Sequence, residues 1–320
     1  MKKIINPSLL PETLYEKSRV YIRRGFRAQS AGDNEEYQLW ASLSLELLGK
    51  AALSRVHPAL VADPNHYQSL FAACGKEITP DIRTITAKTL FVRLGHLDKG
   101  FDLRHQQVCE QMTLRRNAEL HSGESPFSGM PAEGWERGFW GAIVLILGIQ
   151  DETLDSWLGA EEAKVPAEII KQAEHALQWA VKNRIRHCTE DFESKHRDQT
   201  QRAKLLSDSE FLHWNDWSWD ERERTTCPAC KAQGFLGGNL WDEEVIASEP
   251  GWGGVDENGE YYGEAPSDTV RKTYTVEIFE CLVCKLTLFG ANEVAAGGLN
   301  QEFSSEEKHE RNFYDDYGND

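Results

Sequence analysis

The chain has 320 residues and a mass of 36.3 kDa, which suits two domains better than one compact bundle or a large assembly. Forty per cent of its residues are hydrophobic, enough to bury a core. Its 52 acidic and 35 basic residues are unevenly placed: residues 1–160 hold 18 Lys and Arg against 19 Asp and Glu, and residues 161–320 hold 17 against 33. A uniform basic nucleic-acid coat is excluded, and any RNA or DNA contact must come from a local patch in the first half.

In chain order, the opening residues include Lys2 and Lys3 but no apolar run of signal-peptide length. Pro11 starts a helix reaching about Ala31, with Leu14, Val20, Tyr21 and Phe26 as core contacts. Asp33 suits the N-cap of a second helix, Asn34 to Val56, with Glu36 three residues on as in a capping box and His57-Pro58 as the stop. Leu39, Trp40, Leu43, Leu47 and Leu48 recur at three- and four-residue intervals, predicting one buried stripe. Further helical patterns cover Ile82–Leu97, Phe101–His121 and Pro131–Leu158, and Ser122-Gly123 ends the fourth helix. Phe139 to Ile149 is the longest apolar run, about half of a bilayer crossing, and reads as a buried core helix; no membrane is implied. The first half therefore predicts a helical bundle.

Pro166 is placed as the first residue of another helix, which extends through Trp179 and then loses its apolar stripe. Residues 189–226, dense in charge and carrying Trp214, Trp217 and Trp219, read as a linker or extended helix. From Cys227 onward Gly, aromatic and β-branched residues rise, and Tyr274–Phe289 alternates as a β-hairpin does. The acidic residues after Gln301 read as a disordered tail. The expected class is mainly α: a helical domain at 8–160, a helical, charged linker at 161–226, a small β-rich four-cysteine module at 227–300 and a tail at 301–320.

Cys227-Pro-Ala-Cys230 and Cys281-Leu-Val-Cys284 form two C-x-x-C pairs 50 residues apart. Each such turn brings two sulfurs to one tetrahedral ion, and two turns complete a four-thiolate shell, so the spacing predicts a zinc ribbon with one structural Zn²⁺ per chain. A closed shell has no position for water, and no catalytic metal is expected. The stretch from Asp242 to Asp268 must then loop out as an insertion. Thiolates on a metal suit a reducing, cytoplasmic setting. Cys74, Cys109 and Cys188 stand alone and read as small buried hydrophobes.

Arg116-Asn117-Ala118-Glu119-Leu120-His121 closes the fourth helix. Asn117 and His121 share a face, and Arg116, about 140° round from His121, reaches the same rim with its long side chain. A guanidinium that grips phosphate oxygens beside an imidazole that moves protons suits cleavage of RNA by its own 2′-hydroxyl. One His per chain supplies one proton carrier where the reaction needs two, which argues for a homodimer. Arg115 is an alternative cation. Glu46 and Lys50, four apart, read as a surface ion pair, and Arg19, Arg23 and Arg27 fall on one helix face as an RNA track or as partners for the acidic half.

These features resemble the HEPN superfamily (higher eukaryotes and prokaryotes nucleotide-binding). Arg116-Asn117-x-x-x-His121 at a helix end, and Ser44-Leu-Glu-Leu-Leu-Gly-Lys-Ala-Ala-Leu53 in an early helix, carry the likeness over about residues 8–160. The tyrosine that follows the His in nucleotide-accepting members is replaced by Ser122-Gly123-Glu124. The resemblance implies a metal-independent, dimeric endoribonuclease with Arg116 and His121 catalytic and Asn117 orienting them. Such domains serve as toxins or anti-phage effectors, with an antitoxin or defence-system partner. The competing expectation is a non-catalytic scaffold that docks a partner or nucleotide.

Overall fold

The computed structural model describes residues 6–214, 218–255 and 261–310. The chain divides into two compact units, one reaching His175 and the other starting at Ala176.

The first unit is helical: α1 (Pro11–Ser30), α2 (Asn34–Val56), α3 (Tyr67–Ala73), α4 (Ala87–Gly95), α5 (Leu103–His121), α6 (Glu136–Gly148), α7 (Leu154–Leu158) and the start of α8 (Lys164–Lys195). Asp33 caps α2, its carboxylate accepting from the Glu36 N–H at 2.8 Å. The Glu36 side chain instead accepts from Trp40 Nε1, so the reciprocal half of the capping box is replaced. α2 is the central helix. Tyr37, Ala41, Leu45, Leu48, Ala52 and Leu53 are all sealed, whereas Leu39, Trp40, Leu43 and Leu47 are only half-buried. The expected single stripe is therefore corrected: a helix packed on several sides buries more than one face, and its shallowest positions here include the large residues. Val20, expected in the core, is 48 % exposed.

α6 buries Phe139, Trp140, Ile143 and Ile146, as expected of the apolar run. The continuous Pro131–Leu158 helix is broken, because Asp151 turns the chain with φ 57° and Thr153 caps α7 in a capping box with Ser156. No helix among the described residues is long and apolar enough to cross a membrane.

The second unit begins within α8, which does not stop near Trp179 but runs to Lys195. Its later turns regain an apolar stripe, Val181, Ile185, Cys188 and Phe192, packed into this unit's core. The linker expected at 189–226 holds α9 (Gln199–Ser209) and β1 (Glu221–Thr226); Trp217 lies outside the described residues. There follow β2 (Gln233–Glu249), β3 (Trp252–Val255), β4 (Tyr261–Glu264), β5 (Ser267–Glu280), β6 (Thr287–Phe289), α10 (Gly290–Ala296) and β7 (Glu302–Glu310). β1, β2, β5 and β6 are ordered side by side, and β7 pairs with β5 in line with β6. All pairings are antiparallel.

The Asp242–Asp268 stretch does not loop out: β2 and β5 stay paired from Phe235–Glu280 to Glu249–Ser267, with β3 and β4 between them. Residues 302–310, expected to be disordered, form β7, held by Lys272–Glu307 and Arg271–Glu306 ion pairs and by Phe303 stacked on Tyr274. The rest of that tail, 311–320, lies outside the described residues.

Candidate functional site

The two cysteine turns are copies of one another. In the first, the Lys231 N–H donates to the Cys227 carbonyl and the Cys227 N–H to the Ala232 carbonyl; in the second, Lys285 donates to Cys281 and Cys281 to Leu286. Lys231 and Lys285 both take left-handed backbone, φ 67° and 63°. Gly234 follows the first turn because a Cβ there would lie 2.6 Å from the Phe279 ring.

The four sulfurs lie within 4.8 Å of one another, with Cys227–Cys284 at 3.6 Å and Cys230–Cys281 at 3.5 Å. A tetrahedral thiolate shell at zinc has sulfurs about 3.8 Å apart, so the set fits a metal ion such as zinc. Four thiolates this close together repel one another strongly. A cation at the centre removes that conflict by letting all four act as thiolates. Of the lone cysteines, Cys109 is buried, Cys188 is half-buried, and Cys74 is exposed, contrary to expectation.

In the helical unit, α5 is capped by Asp102 and ends at His121, where the Ser122 hydroxyl donates to the Ala118 carbonyl. Arg116 lies on the inner side of this last stretch. Its guanidinium donates to Glu46 Oε2 at 2.6 Å and, through Nε, to Asn117 Oδ1 at 3.1 Å. Glu46 Oε1 accepts from Lys50 Nζ at 2.6 Å, and Lys50 also donates to Thr84 Oγ1 at 3.0 Å.

The expected Glu46–Lys50 surface pair is thus corrected. Lys50 is 8 % exposed, and with Arg116 the pair joins α2 to α5 in a partly buried network. Burial would raise the Glu46 carboxyl, but the charges of Lys50 and Arg116 outweigh it and hold the group below the ordinary carboxylate range. Nothing in the local sequence announces this contact, because Glu46 and Arg116 are 70 residues apart.

Glu46, Thr86, Lys88, Thr113, Arg116 and Asn117 line a cavity of about 460 Å³. His121 does not line it. The imidazole is exposed and has no hydrogen-bond or ion-pair partner among the described residues. Within one chain, then, the guanidinium is fixed at a cavity wall and the imidazole stands free at the end of the same helix. Asn117 touches Arg116 and makes no bond to His121.

The other expected RNA contacts are mostly occupied. Arg19 donates to the Trp157 carbonyl at 2.7 Å and pairs with Glu16; Arg23 donates to the Leu158 carbonyl and pairs with Glu162, one of the acidic residues of the second half. These two therefore pin α1 to α7 and its exit instead of forming an open track. Arg115 is turned to Met130 Sδ. Arg27 is exposed, with no side-chain partner among the described residues.

No family model, curated protein or solved structure matches the chain.

Proposed function

We propose that the chain is an endoribonuclease of HEPN type, with Arg116 and His121 as its catalytic groups, working as a homodimer in which two copies of α5 share one pocket. The observation that carries this reading is the held guanidinium. Arg116 is fixed by Glu46 and Asn117 at a cavity wall, five residues before an exposed imidazole that has no partner among the described residues. The two stretches that carry the HEPN resemblance, around Glu46 and around Arg116, meet at this cavity.

In the proposed reaction, one imidazole takes the 2′-hydroxyl proton as that oxygen attacks phosphorus. The partner's imidazole protonates the departing 5′-oxygen, and Arg116 steadies the charge on the phosphate. The products are a 2′,3′-cyclic phosphate and a free 5′-hydroxyl, with no proton unaccounted for. Asn117 orients Arg116, and Glu46 with Lys50 sets its position. This chemistry asks nothing of a metal. The four cysteines would hold one structural Zn²⁺ per chain, organising a ribbon that recognises or assembles. A toxin or anti-phage role, with an antitoxin or defence-system partner, follows from the resemblance.

A second reading, a non-catalytic scaffold, is favoured by one observation: the Glu46–Arg116–Lys50 network already satisfies Arg116 as a clasp between helices. The two readings separate on single-stranded RNA incubated with purified protein in EDTA. The nuclease reading expects cleavage by the wild type to cyclic-phosphate ends, lost in His121→Ala and Arg116→Ala. Intact RNA with all three proteins, under conditions where they remain dimeric, supports the scaffold.

A further inference from the structure

A second cavity of the helical unit, about 530 Å³, is lined by α1, α2, α6 and the first turn of α8. Its charged residues are mostly accounted for. Arg23 is tied to Leu158 and Glu162, and Glu161 to Lys164. Two opposite charges are left over.

The first is Glu136, a carboxylate 8 % exposed. Its Oε1 accepts from the Tyr37 hydroxyl at 2.9 Å and from Gln29 Nε2 at 3.2 Å, both neutral donors. Its Oε2 has no partner among the described residues. Glu136 lines the cavity and its Oε2 is not sealed from it, so that oxygen can accept from a ligand's N–H donors. The second is Arg27, which lines the same cavity, is exposed, and pairs neither with Glu136 nor with any other described residue. Phe26 and Trp140, rings stacked at 6.0 Å, and Pro166 supply an apolar wall.

An open carboxylate oxygen, a free guanidinium and an aromatic wall in one cavity define a ligand that carries an ammonium, a carboxylate and an apolar body. We propose that this cavity binds a small zwitterion of the free aromatic amino-acid class. Its ammonium donates to Glu136 Oε2, its carboxylate accepts from Arg27, and its ring lies against Phe26, backed by Trp140, and Pro166. An ammonium suits the floor because it brings both the missing charge and the N–H donors. A carboxylic acid lacking the amine would set two anions together there and is excluded by the same argument. The inference does not rest on the ribonuclease reading, since none of these residues belongs to the Arg116 cavity.

The test is calorimetric titration of the full chain with L-phenylalanine, phenethylamine and 3-phenylpropionate. Phenylalanine should bind, phenethylamine should bind about tenfold more weakly for want of the charged bond to Arg27, and phenylpropionate should not bind. Glu136→Gln keeps an acceptor for Tyr37 and should weaken phenylalanine by about tenfold or more, with its melting temperature checked to show that the fold is retained. Arg27→Ala, a change at an exposed position, should bring phenylalanine down to the affinity of phenethylamine and leave phenethylamine unchanged. Absence of phenylalanine binding, tighter binding of phenylpropionate, or affinities indifferent to both substitutions would overturn the proposal.

Discussion

The two units are held by different means. In the helical unit, α2 runs through a continuous apolar core drawn from α1 and α4 to α7, in which Leu45, Leu48, Leu53, Phe91, Phe139 and Trp157 are sealed from water. In the sheet unit the buried set is smaller, and Cys227, Cys230 and Cys281 are part of it. Its outer strands, β2 beyond Asn239 and β7, carry charge on both faces and pair through Arg271–Glu306, Lys272–Glu307 and Lys308–Glu249. Exposed pairs of this kind contribute little stability in water. The first unit should therefore stand mainly on apolar burial, whereas the second should depend on whatever neutralises its four sulfurs.

Metal removal should have the largest effect, and on the second unit alone. A structural zinc typically contributes about 10–16 kcal/mol of apparent binding energy, which is also folding energy. Chelation, or Cys227→Ser, should therefore abolish protection of β2 and β5 amides in hydrogen exchange while α2 and α6 stay protected. Equal loss in both units would mean that they do not stand on separate supports.

Next in size is the chemistry. His121→Ala should cost roughly 10²- to 10⁴-fold in RNA cleavage, the usual worth of a positioned proton carrier, with no change in melting temperature because the ring is exposed and has no partner among the described residues. Arg116→Ala should lose cleavage comparably but should also destabilise the helical unit, by about 1–3 kcal/mol, since Glu46 forfeits one of two charged partners. The contrast in stability between these variants sharpens the assignment of one residue as fixed and the other as free.

Leu48→Ala should cost about 2–5 kcal/mol in chemical denaturation, confined to the helical unit. The smallest effect is one of pH. Glu46 has a folded pKa below its unfolded one, so its stabilisation is complete above the ordinary carboxylate range and is lost as pH falls through the lowered folded value. Glu46→Gln should flatten that acid limb of the stability curve. An unchanged limb would show that the network does not stabilise the fold.

What could be read from the sequence divides along similar lines. Local chemistry was legible. Asp33 and His57-Pro58 bracket α2 at its observed ends, α5 starts two residues after the expected Phe101 and ends before Ser122 as expected, and the C-x-x-C spacing located four sulfurs that the fold brings together. What depends on distant partners was not. The burial of α2 on several sides, the contact of Glu46 with Arg116, and the capture of Arg19 and Arg23 by α7 carbonyls have no local signature. The long β2–β5 pairing was missed for a different reason: with charge on both faces, its sequence lacks the apolar alternation that marks a half-buried strand.

If two chains share one pocket around α5, RNA cleavage must depend on protein concentration. Specific activity should fall in proportion to dimer as the protein is diluted, and an excess of His121→Ala chains added to wild type should suppress cleavage by forming mixed dimers. Constant specific activity down to concentrations at which sedimentation finds only monomers, with no suppression by the variant, would contradict it.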